Sequence, residues 1–216
     1  MHADGDLSPP GIAGLVVEVL DQLGIERVVL VGNDSGGVVS QLVVAATPER
    51  VRALVLVACD AFEIFPPGAY RILFRLAAVP GVMRFIGRGL AVPSIARSRF
   101  GYGAVIGRAP GAARHWTHPL RTDAGIRRDL TKLMKRSSNA QTLQAAEHFP
   151  AFAEPVLVVW ARRDRLFPQA LGRRLADAFP DGRLVTLEDA RTFIPCDQPD
   201  PLAAVIAEFL DEHPNA

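Results

Sequence analysis

Apolar and polar positions along this chain fall into alternating short runs and longer stripes. From Gly11 to Leu23, Ile12, Leu15, Val16, Val19, Leu20 and Leu23 recur at helical spacing, opened by Ser8-Pro9-Pro10 and stopped by Gly24. Val28 to Val31 is too apolar for a one-sided strand and predicts a strand buried on both faces. Gly37 to Ala46 predicts a helix that ends before Pro48, and Ala53 to Ala58 a second buried strand. After a long gap come a strand at Val156 to Trp160, a helix at Gln169 to Phe179, a strand at Arg183 to Leu187 and a helix at Asp200 to Leu210. Strands alternating with helices of about ten residues imply βαβ units, hence an α/β fold with a parallel sheet flanked by helices.

The gap itself, Ala61 to Pro150, is rich in Gly, Pro and Arg, shows short helical patterns and lacks a good strand. Too long for an ordinary connection, it predicts a helical cap, or lid, over the carboxyl ends of the strands, where ligands of such sheets bind. Residues 1–60 and 151–216 then form the core, and 61–150 the cap. Both tyrosines of the chain, Tyr70 and Tyr102, fall in this cap. They are either half-buried core aromatics or substrate contacts.

Composition narrows the picture. At 216 residues and 49% hydrophobic content, one domain with a sizeable core is expected. A formal net charge of +1 argues against a nucleic-acid partner for the chain as a whole. The charge is unevenly spread, however. Gly68 to Arg136 holds 14 Arg and Lys against Asp123 and Asp129 alone, so the remainder is acidic. That basic stretch is either a surface for an anionic substrate, lipid or partner, or a solvated helical face. Cys59 and Cys196 form no disulfide framework, which makes a reducing cytoplasm the default expectation. The acidic start Met-His-Ala-Asp-Gly-Asp does not resemble a signal peptide, and no apolar run approaches a membrane span. There is no metal-ligand cluster, phosphate-binding Gly-Lys loop or dinucleotide fingerprint, so neither metal nor cofactor is expected.

The stretch Val28-Val29-Leu30-Val31-Gly32-Asn33-Asp34-Ser35-Gly36-Gly37 carries the chemistry. A strand runs into a sharp turn and a helix, with one reactive side chain at the apex. Gly32-Asn33-Asp34-Ser35-Gly36 resembles the small-x-nucleophile-x-small elbow of the α/β-hydrolase superfamily. Three further stretches resemble it as well. Pro48-Glu49-Arg50-Val51 leads into the next strand, Trp160-Ala161-Arg162-Arg163-Asp164 looks like the strand-to-acid turn, and Phe193-Ile194-Pro195 looks like the segment just after the catalytic histidine. Asn33 to Gly37 is also similar to the serine motif of trypsin-like proteases. Those are antiparallel barrels, whereas this motif joins a buried strand to a helix.

Aspartate at the apex resembles haloalkane dehalogenases and epoxide hydrolases rather than serine esterases. The resemblance implies a small, apolar substrate attacked by the Asp34 carboxylate, giving an alkyl-enzyme ester. A histidine oriented by a second carboxylate would then activate water. Asp164 matches that acid, with Asp60 as the alternative. Cys59 reads as a small apolar residue. Asn33 and Ser35 flank the nucleophile as substrate-binding candidates, and the Ser35 backbone N–H is the candidate oxyanion donor.

Three departures stand out. Thr192, in Ala190-Arg191-Thr192-Phe193, occupies the place expected for the histidine. Of the others, His213 lies in the C-terminal tail, and His115, His118 and His148 lie in or beside the cap. The resemblance also implies several strands and a His-Gly loop ahead of the elbow, and no part of this chain matches them. A partial α/β-hydrolase fold lacking the first strands follows, with half of the oxyanion site missing. Val28 to Val31 becomes an edge that a second copy or a partner strand could cover. Finally, the Trp that often follows the nucleophile of dehalogenases is replaced by Ser35, while Trp116 and Trp160 lie elsewhere. The implied function is a hydrolase impaired in its second step, or a degenerate fold used for binding or assembly.

Overall fold

The computed structural model describes residues 5–79, 81–99, 101–108 and 113–214, with Ala69, Ala113, Arg114 and His115 described by backbone alone. Helix α1, Pro9–Gln22, opens on an N-cap in which Ser8 Oγ accepts from the Gly11 N–H at 3.2 Å, with two prolines in its first turn. Gly24, at φ 66°, turns the chain out of it in a conformation few other residues tolerate. Strand β1, Val28–Asp34, leads directly into α2, Ser35–Ala46, and then β2, Val51–Cys59. Strand β3, Val156–Ala161, helix α9 and strand β4 complete the sheet; α9 spans Gln169–Asp177 and β4 Gly182–Leu187.

The four strands run parallel in the order β1-β2-β3-β4. Alternation along β2 and β3 sends side chains into two cores. Leu54, Leu56, Val158 and Trp160 pack with α1, α2 and α9 on one face. Ala53, Val55, Val57, Leu157 and Val159 pack on the other with Leu202 and Phe209 of the last helix, α11, Pro199–Glu212. Covered on both faces, β2 and β3 are almost wholly buried, which is why they read as unbroken apolar runs.

Between β2 and β3 lie α3 (Arg71–Leu76), α4 (Val82–Gly89), α5 (Pro93–Arg97), α6 (Ala113–Thr122), α7 (Ala124–Arg136) and α8 (Asn139–Ala146). Ala77, Met83, Leu120 and Met134 give this helical insertion a small core of its own. One further helix, α10 at Ile194–Asp197, is a single turn that hydrophobic periodicity is too coarse to reveal.

Among the described residues β1 pairs with β2 alone, so its other edge is bare, and Val31 on it is 50% exposed. No helix among the described residues is long and apolar enough to cross a membrane.

Candidate active site

The strand-to-helix turn holds Asp34 at φ 53°, ψ −127°, a conformation costly for a residue with a side chain. Close packing fixes the turn. A Cβ on Gly32 would lie 2.5 Å from the Gly36 carbonyl oxygen and from Ser40 Oγ. One on Gly37 would lie 2.3 Å from Cys59 Cβ. Gly36, by contrast, has open space where its Cβ would be, so the tight flanks of this elbow are Gly32 and Gly37 rather than Gly32 and Gly36. Asp34 makes no capping bond to α2.

Burial pushes the Asp34 carboxyl up to about 6, and the charge of Asp164 adds to the rise, while the Ser35 backbone N–H pulls the other way. Asp164, beyond β3, is also raised by burial, partly offset by its hydrogen bonds. Its Oδ1 accepts from the Leu166 N–H at 2.8 Å, the Phe167 N–H at 2.9 Å and Thr192 Oγ1 at 2.8 Å. Its Oδ2 is buried with no partner. Asp60, beyond β2, is almost fully buried, has an unpartnered Oδ1, and is pushed well up by burial and then by Asp34. Cys59 lies fully buried beside these carboxylates, and its thiol is pushed well up, first by burial and then by Asp60, Asp34 and Asp164. It is held as a neutral, inert side chain.

Three carboxylates thus share one apolar region, and Thr192 hydrogen-bonds Asp164 rather than Asp60. Thr192 is wholly buried, and its hydroxyl is the side-chain partner of Asp164 Oδ1. The hydroxyl can donate to Asp164 but cannot take a proton from water near neutral pH.

The remaining candidates divide. Asn33, a substrate-binding candidate, donates from Nδ2 to the carbonyls of Val57 at 2.8 Å, Ala58 at 3.3 Å and Thr192 at 2.9 Å. It ties the elbow to the end of β2 and to the loop carrying Thr192. Ser35 is exposed at the first turn of α2. Tyr70 is half-buried, and its phenol is raised by burial and then by the charge of Asp34. Tyr102 is raised by burial and then by Tyr70. Tyr70 thus lies within electrostatic range of Asp34, and Tyr102 within range of Tyr70. Trp116 lies edge-on to Tyr102 at 5.5 Å and to Phe193 at 5.7 Å, so an aromatic row adjoins Thr192. Trp160 is instead a core residue, its Nε1 donating to the Phe167 carbonyl at 3.3 Å.

No histidine side chain among the described residues reaches the carboxylates. His118 and His148 are exposed, and His213 caps the end of α11 with Nδ1 2.7 Å from the Phe209 carbonyl oxygen. The side chain of His115 lies outside the described residues. No group of three or more His, Cys, Asp or Glu among the described residues could hold a metal ion.

Sequence reasoning missed three supporting residues. Gln41 Nε2 donates to the Gly37 carbonyl at 3.0 Å and the Asp60 carbonyl at 2.8 Å, binding the elbow helix to β2. A lone amide inside the apolar run of α2 was its only signal. Asp197 and Arg191 carried none. Asp197 accepts from the backbone N–H groups of Gly107, Arg108 and Arg191 at 2.8 to 2.9 Å. Arg191 Nη1 donates to the carbonyls of Gly103 and Ile106. The Phe193 N–H donates to the Val105 carbonyl at 2.9 Å, a bond from main chain to main chain. Together these bonds fasten residues 103–108 to the loop that carries Thr192. Asp197→Ala would strand three N–H groups and is expected to cost about 3–5 kcal/mol. Urea denaturation measures this directly, and a loss within experimental error of zero would show that the clamp is dispensable.

Comparison with known proteins agrees with this fold. The model of the "Alpha/beta hydrolase family" matches residues 2–205. Haloalkane dehalogenase 2 of Mycobacterium tuberculosis is 31% identical over 214 residues, covering 91% of this chain and 68% of that protein. An uncharacterized hydrolase, YugF of Bacillus subtilis, is 23% identical over 92% of this chain and 71% of its own length. Among solved structures, a putative ancestral haloalkane dehalogenase superposes with a TM-score of 0.75 at 19% identity, covering 99% of this chain and 78% of that one. A thermophilic esterase from Thermogutta terrifontis gives 0.71 at 19% identity, over 95% and 72%. At such identities the two structures speak for the fold alone, while the family model and the mycobacterial relative reach further: the chain belongs to the α/β-hydrolase family, in its haloalkane dehalogenase-like branch.

Proposed function

We propose that this chain is a hydrolase of small apolar substrates that works through an aspartate nucleophile and is slowed at its second step. The observation that carries the reading is Asp34 itself. It is a partly buried carboxylate without a capping bond to α2, held in a strained turn at the end of a strand. One carboxylate oxygen attacks an sp³ carbon, the bond from that carbon to halogen or epoxide oxygen breaks, and the leaving group departs with the electron pair. Tyr70, whose phenol feels the charge of Asp34, would protonate an epoxide oxygen as it opens, and Tyr102 interacts with Tyr70 in turn. The Ser35 N–H would steady the oxyanion when water later attacks the ester. Residues 61–150 act as the cap that closes the apolar site over Asp34.

Water activation is the weak step. Asp164 and Thr192 keep the acid and its hydrogen bond without the base between them. The prediction is an alkyl-enzyme ester that forms and persists. Intact-mass spectrometry after incubation with a panel of haloalkanes and epoxides tests it, with peptide mapping to Asp34. The absence of any adduct from folded protein would favour the second reading, a catalytically degenerate fold used for binding or assembly. The buried Thr192 is the observation on that side.

A further inference from the structure

The helical insertion has an outer surface that the proposed chemistry does not use. We infer that this surface docks the protein onto a bilayer containing anionic lipids. The inference is independent of what happens at Asp34.

Two adjoining clefts mark the surface. The first, of about 470 Å³, is lined by Arg71, Arg75 and Lys135 together with Phe74 and Ala78. The second, of about 580 Å³, is lined by Arg84, Arg127 and Lys132 together with Val79 and Met83. Ala78 and Lys135 line both, so α3, α4 and α7 present their cations to one continuous region. The two acids of Gly68 to Arg136 are already engaged. Asp123 caps α7 by accepting from the Gly125 and Ile126 N–H groups, and Asp129 pairs with Arg128 at 2.7 Å. The rest of the chain carries net negative charge, so an anionic surface attracts this side of the molecule and repels the other.

Large apolar side chains are also exposed on and beside α3 and α4, the helices that carry these cations. Phe85, next to Arg84, is 77% exposed, and Ile72, next to Arg71, is 68% exposed. Leu76 and Val79 are about half exposed. Ile72, Leu76 and Val79 succeed one another at helical spacing, while Leu73, Phe74 and Ala77 turn inward to the core of the insertion. Cations mixed with exposed aliphatic and aromatic groups match the boundary between headgroups and acyl chains, where the cations meet phosphate and the apolar groups enter hydrocarbon. A nucleic acid would use the charge and leave Ile72, Leu76 and Val79 in water. For a hydrolase of apolar compounds, the location is also chemically apt, because such substrates concentrate in bilayers.

Sedimentation of the full chain with vesicles tests this. Binding is expected to mixed phosphatidylglycerol/phosphatidylcholine vesicles at low salt, not to pure phosphatidylcholine, and to fall as salt rises. The triple variant Arg75→Gln, Arg84→Gln, Lys135→Gln should lower partitioning by roughly 100-fold, taking about fivefold per cation. Phe85→Ser should lower it by about tenfold through lost insertion. Every side chain changed is exposed, and an unaltered melting temperature confirms that folding is intact. No sedimentation of the parent, equal binding to both vesicle types, or full binding by either variant would overturn the proposal. So would tight binding of duplex DNA or an acidic polypeptide by a parent that ignores vesicles.

Discussion

Thr192→His is expected to raise steady-state turnover of a reactive haloalkane or epoxide by roughly 10²–10⁴-fold, the usual worth of a positioned acid–base group. The reasoning starts from the bond already present. Thr192 Oγ1 donates to Asp164 Oδ1 at 2.8 Å, and an imidazole N–H at this position inherits that acceptor. The other ring nitrogen is then a neutral acceptor for a proton from water, which the hydroxyl cannot be. Asp164 also has an unpartnered buried Oδ2 to stabilise the imidazolium that forms. Because Thr192 is wholly buried, the larger ring must displace neighbours, and overpacking of this kind costs about 1–3 kcal/mol. Rate and melting temperature are therefore measured together. A folded variant whose turnover equals that of the parent would show that position 192 is not where the base belongs.

The second large effect concerns Asp34. Asp34→Asn is expected to abolish the covalent adduct, since a neutral amide oxygen is a far weaker nucleophile than a carboxylate. Ionisation makes the same point without mutation. With its carboxyl raised to about 6, Asp34 is mostly protonated at pH 5 and mostly ionised at pH 7, so the rate of adduct formation should climb through about pH 6 and then level off. An unperturbed aspartate would already be on its plateau. The sign for stability is opposite. The folded group holds its proton more tightly than the unfolded one, so its favourable contribution is full below about 3.8 and is lost as pH rises through about 6. A shift of this size corresponds to about 3 kcal/mol. A flat rate between pH 5 and 8, measured by the growth of the adduct, would show that the reacting group is not a carboxyl raised to about 6.

Sequence legibility tracked the range of the interactions involved. Strands β2 and β3 read clearly because burial on both faces removes polar residues from them almost entirely. The elbow read clearly because its strand, glycines and acid are contiguous. Position 192 was singled out through resemblance, and Thr192 hydrogen-bonds Asp164. The structural role of Asn33 was not legible, because an amide beside the candidate nucleophile suggests a ligand contact. Its true partners, the carbonyls of Val57, Ala58 and Thr192, are 24 to 159 positions away along the chain. Asp197 and Arg191 were invisible for the same reason, since they act on backbone groups of a distant loop. Which glycine is tight was equally illegible, because Gly37 meets Cys59 only once β2 is in register beside β1.

The bare edge of β1 has a consequence in time rather than in space. In a parallel sheet, the amides of a strand point alternately to its two neighbours. Strand β1 has one neighbour among the described residues, so every second amide along Val28–Asp34 lacks a ladder partner. Those amides are expected to exchange with deuterium through local openings, while the amides of β2 and β3 wait for global unfolding. The strand that ends in Asp34 would thus keep two clocks on its two sides. Slowing of the fast set, by a second copy or by any added strand, would report directly that the edge has been covered.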